Sequence, residues 1–108
     1  MTDYLQVTTT ADTREAAVHL ASSAVATKPL AGAQVHGPVA SFFWHKGELG
    51  EGEEWQVTLK TTAARYHELE AHLIAEHTWD NPEITAVPLT IGSMAYLTWL
   101  DRTVSAGE

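Results

Sequence analysis

A chain of 108 residues with 44% hydrophobic content supports one compact domain, spanning residues 1–108, and is too short for two ordinary ones. Six basic residues against fourteen acidic ones give a formal net charge of −8, which opposes phosphate backbones and anionic lipid surfaces and favours cationic partners. The absence of cysteine excludes disulfides, thiolate metal sites and thiol nucleophiles.

The opening MTDYLQV lacks a positive segment followed by an apolar run, and no later stretch approaches the roughly 18 apolar residues that span a bilayer. A cytoplasmic protein without a membrane partner is expected. YLQVTTT, residues 4 to 10, is rich in β-branched and aromatic residues and predicts a strand. Asp12 and Glu15 have capping-box spacing, so a helix is expected to begin there. Ala17, Leu20, Ala21, Ala24 and Val25 form its apolar stripe, and Pro29 marks its exit.

From Ala33 to Lys46 the chain reads as extended, bent at Gly37-Pro38, with SFFW at 41 to 44 supplying strand residues. GELGEG predicts a glycine-rich reversal. EEWQVTLKTT, 53 to 62, then alternates, with Trp55, Val57 and Leu59 on one face. Residues 63 to 76 return to helical spacing through Tyr66, Leu69 and Leu73, and Asn81-Pro82 breaks the pattern. EITAVPLTI, 83 to 91, predicts a strand whose Pro88 belongs on an edge or at a bulge. A final short helix carries Tyr96, Leu97, Trp99 and Leu100.

A hairpin between two crossover helices predicts an α+β fold, the ferredoxin-like split βαβ sandwich: a four-stranded antiparallel sheet with two packed helices and an additional C-terminal helix. The second sheet face then has little cover. Trp44 and Trp55 sharpen the problem, because large aromatics left exposed on strands form a patch that favours burial. Both are expected at an interface between copies of the chain.

The glycines at 47, 50 and 52 have neither dinucleotide-fingerprint nor P-loop spacing and lie among glutamates. Glu68, His72 and Glu76 share a helix face, but each step of four residues rises about 6 Å, so a solvated stripe is the expectation. The HExxH zinc signature is absent, no nucleophile elbow is present, and no basic patch or RNP-like run suggests nucleic-acid binding. His77 has two readings: a metal ligand with Asp80 or Glu83, or a helix C-terminal cap packed against Trp79.

Several landmarks in order resemble the CutA divalent-cation tolerance family: Leu30-Ala31, Ser41-Phe42-Phe43-Trp44 followed by Gly47, Glu54 leading to Lys60-Thr61, HTWDNPEI from His77 to Ile84, Pro88-Leu89, and Tyr96-Leu97 followed by Trp99. The resemblance implies a ferredoxin-like protomer, a homotrimer, a cytoplasmic location, an association with copper and other divalent cations, and no established reaction. It implies no obligatory cofactor. The family's cysteine positions hold Thr9-Thr10-Ala11 and Gly32-Ala33 here, which excludes thiolate binding of cuprous ion, and its His-Pro-Tyr-Glu run stands as His77-Thr78-Trp79-Asp80. On this resemblance a divalent cation, copper or zinc, is expected at His77, Asp80 and Glu83, in a trimer-seam pocket completed by Trp44, Lys60 and Trp79. The alternative is a non-enzymatic regulatory scaffold that binds a small molecule or protein without metal.

Overall fold

The computed structural model describes residues 3–26 and 30–105. Its elements run β1 (Tyr4–Ala11), α1 (Arg14–Ala26), β2 (Gly32–His45), β3 (Glu48–Thr62), a 3-10 turn at Ala63–Arg65, α2 (Tyr66–Glu76), β4 (Ile84–Pro88) and α3 (Met94–Ser105). The strands form one sheet in the order β2-β3-β1-β4, every neighbour antiparallel. This is the ferredoxin-like arrangement that the element order predicts.

Several local expectations are corrected. The α1 cap is Thr13 rather than Asp12: its Oγ1 accepts the Ala16 N–H at 3.0 Å, so the helix starts one residue later. Ala17, Leu20, Ala21 and Ala24 are buried as the spacing requires, whereas Val25 is exposed. The expected exit at Pro29 lies outside the described residues. Of GELGEG, Gly47 alone belongs to the reversal. Lys46 and Gly47, at φ 51° and 81°, make a two-residue turn, and β3 begins at Glu48. On α3 the buried residues are Leu100 and Val104, while Tyr96 and Trp99 remain exposed.

Odd-numbered residues of β1 and β3 face the helices, so Val7, Val57 and Leu59 join Leu20, Leu69 and Leu73 in the core. Leu100 and Val104 are buried outside that cluster, where α3 packs on β3. The sheet's other face carries Gln6, Thr8, Gln34, Gln56, Thr58 and Lys60, so it is largely polar. Trp55 lies on the helix side, partly buried against its own protomer's core, and its ring flanks Gly37.

The hairpin outruns the rest of the sheet. β1 stops at Ala11, opposite Trp55, whereas β2 and β3 continue as a pair to the turn at residues 46–47. A bulge interrupts this pair: His36 faces Gln56, but Val39 faces Glu54, so β2 has one extra residue. Beyond it the alternation of β2 is inverted, because a one-residue shift exchanges the two faces of a strand.

Candidate functional site

The inversion builds a cleft. Ser41, Phe43 and His45 swing to the side of Glu54, and Phe42 borders the same space, so the projecting hairpin forms one wall. Thr78, Trp79, Asp80, Asn81 and Glu83, between α2 and β4, form the other. Thr10, at the end of β1, lies between them. The cleft has a volume of about 940 Å³.

His77 fastens the loop wall. Its Nδ1 accepts the Trp79 backbone N–H at 3.0 Å, which leaves the ring proton on Nε2 to be donated to Thr10 O at 2.7 Å. The His77 and Trp79 rings lie 5.0 Å apart at 41°. Of the two sequence readings of His77, this geometry is that of a cap packed against Trp79. On the hairpin wall, Ser41 Oγ donates to Glu54 Oε1 at 2.8 Å and orients that carboxylate. Among the described residues, Glu83 receives a long 3.4 Å contact from Thr85 Oγ1.

Of the expected metal ligands, Asp80 and Glu83 border the cleft, while both ring nitrogens of His77 are engaged in backbone hydrogen bonds. Among the described residues no three histidine or acidic side chains are gathered closely enough to hold an ion. Within one protomer, the described residues therefore gather no metal centre. Of the expected pocket residues, Trp79 lines the cleft; Lys60 sits opposite Gln6 on the polar sheet face, and Trp44 lies outside the lining near the hairpin tip. Phe42, Phe43 and Glu54 were not expected there. Their strand setting and a bend at Gly37-Pro38 were legible in the sequence, but not that the bend is a one-residue bulge, which assigns them a side.

The helical stripe of Glu68, His72 and Glu76 is divided among separate partners. Arg65 Nη1 approaches Glu68 Oε1 at 3.5 Å, His72 Nε2 meets Ser23 Oγ at 2.8 Å, and Glu76 Oε1 meets His19 Nε2 at 2.7 Å. The last two contacts join α1 to α2.

The family model described as CutA1 divalent ion tolerance protein matches residues 5–103. The chain belongs to this family. A CutA protein of Archaeoglobus fulgidus, described as a divalent-cation tolerance protein, is 33% identical over 67 residues, covering 62% of this chain and 66% of its own. A chloroplastic CutA protein of Arabidopsis thaliana is 34% identical over 84% of this chain, which spans only 50% of that relative. A solved structure of A. fulgidus CutA, described as periplasmic, superimposes with a TM-score of 0.88 at 29% identity, covering 94% of this chain and 98% of that one. CutA relatives thus carry both chloroplastic and periplasmic descriptions. In this chain, among the described residues, no helix is long and apolar enough to cross a membrane.

Proposed function

We propose that this protein is a non-enzymatic divalent-cation tolerance protein, acting in the cytoplasm as a homotrimer with its cleft at the seam between copies. The observation that carries this reading is the projecting hairpin, whose Phe42 and Trp44 are 66% and 72% exposed while its flank borders an acidic cleft. Val87 on the free edge of β4, with Ile91 and Met94 beyond it, presents further exposed apolar surface. Trp44 belongs to the seam; Trp55 supports the hairpin's base from inside its own protomer.

Divalent copper or zinc then binds as a weakly held cargo. Asp80 and Glu83 supply hard oxygen donors, and His77 holds the loop that presents them. Lys60 takes part only if a neighbouring copy brings it to the seam. Titration calorimetry with Cu²⁺ or Zn²⁺ is expected to show saturable binding that weakens in Asp80→Asn, Glu83→Gln and His77→Ala while sedimentation shows the same assembly. Absence of saturable binding by the wild-type assembly would remove the metal from the proposal. A second reading, a regulatory scaffold whose cleft takes its ligand without metal, draws on the engagement of both His77 nitrogens. Ligand capture unchanged by a chelator favours it.

A further inference from the structure

The lining chemistry narrows what the cleft accepts. Phe42, Phe43 and Trp79 supply aromatic rings, Glu54, Asp80 and Glu83 supply carboxylates, and no lysine or arginine is among the described lining residues. Both walls are held in advance: Trp79 by its backbone bond and ring contact with His77, Glu54 by the Ser41 hydroxyl. At about 940 Å³ the space suits an organic molecule, since small-molecule clefts run to roughly 300–1,000 Å³.

A bare divalent ion needs several donors converging to about 2.0–2.6 Å, and within one protomer no such group exists among the described residues. An organic cation has different needs. Its charge is spread over several atoms, so carboxylates on separate walls can each take part, and its body gains by lying on aromatic faces. A guanidinium fits best, because its planar fork pairs with a carboxylate through two parallel hydrogen bonds and stacks on an indole.

We propose that the cleft binds an organic cation of the alkylguanidinium class, its head between the carboxylates of Glu54 and Asp80 and its body against Trp79. This rests on the cleft being the ligand site, the second reading above, and makes that ligand cationic and metal-independent. The test uses the native assembly in EDTA, titrated with butylguanidinium and with butylurea, a neutral molecule of nearly the same shape. The expected result is saturable binding of butylguanidinium at one per chain, at least tenfold weaker binding of butylurea, and a loss of about tenfold in Trp79→Ala and in Asp80→Asn. Equal affinity for the two probes, or no saturable binding of either, overturns the proposal. If neither variant folds, the comparison of probes on the wild type still decides it. Acrylamide quenching, compared between wild type and Trp79→Phe, separates the two levels of failure: a reachable Trp79 without guanidinium binding sinks this inference alone, whereas a Trp79 shielded by the neighbouring copy removes the open cleft as well.

Discussion

At Gly37 the backbone lies at φ +155°, and a Cβ there would sit 2.9 Å from the Trp55 ring and 3.1 Å from Glu54 O. Gly37→Ala is therefore expected to cost about 1–3 kcal/mol, read as a lower urea midpoint at unchanged slope. An unchanged midpoint would mean that the bulge yields without resistance. At Tyr66, partial burial first, then the hydrogen bond to Glu70 Oε2 and the repulsion of that carboxylate, hold the phenol pKa above its ordinary 10.0. The folded state thus favours the protonated phenol, so this contribution to stability is complete below pH 10.0 and is lost as pH rises through the raised value. Tyr66→Phe is expected to flatten the alkaline decline of stability in a series of denaturation curves. At His77 two residue-level readings were open in the sequence; both ring nitrogens are engaged, with Thr10 O and with the Trp79 N–H.

Among the elements, α2 is only 11 residues long and owes its place to Leu69 and Leu73, both fully buried. Helices of this length are marginal alone in water, so packing rather than propensity holds it. Leu73→Ala is expected to cost about 2–5 kcal/mol, measured by denaturant unfolding. A loss below 1 kcal/mol would show that the core collapses around the gap. The contact between His19 and Glu76 at the same seam has side-chain exposures of 56% and 38%, so it adds little to stability. Strand and helix existence was legible from periodicity, because each face must reach one core. Boundaries were less so. GELGEG predicts a glycine-rich reversal, yet a two-residue turn at Lys46-Gly47 suffices, and Gly50 and Gly52 continue the strand.

At the scale of the whole molecule, the radius of gyration of 14.5 Å exceeds the roughly 13 Å typical of a compact domain of this length, and the long axis reaches 44 Å. The projecting hairpin accounts for the excess, and an arm with exposed aromatics favours a partner surface. Trp44→Ala is expected to lower the stability of the proposed homotrimer, seen as dissociation at higher protein concentration in sedimentation. An equally stable assembly would move the seam elsewhere. With a formal charge of −8 on every copy, added salt screens repulsion between them and is expected to leave the proposed homotrimer intact. Salt-driven release of folded monomers would assign the seam to ion pairs instead.

The sequence by itself determined the element order, the core residues that repeat at helical or strand spacing, the absence of thiolate chemistry and the landmarks shared with the CutA family. Those features are local: they depend on neighbours within a turn of helix or a few residues of strand. Only the tertiary structure decided which side of the hairpin meets the His77–Glu83 loop. That choice depends on a single unpaired residue between His36 and Val39, where one step of register exchanges every side chain between the two faces of the strand.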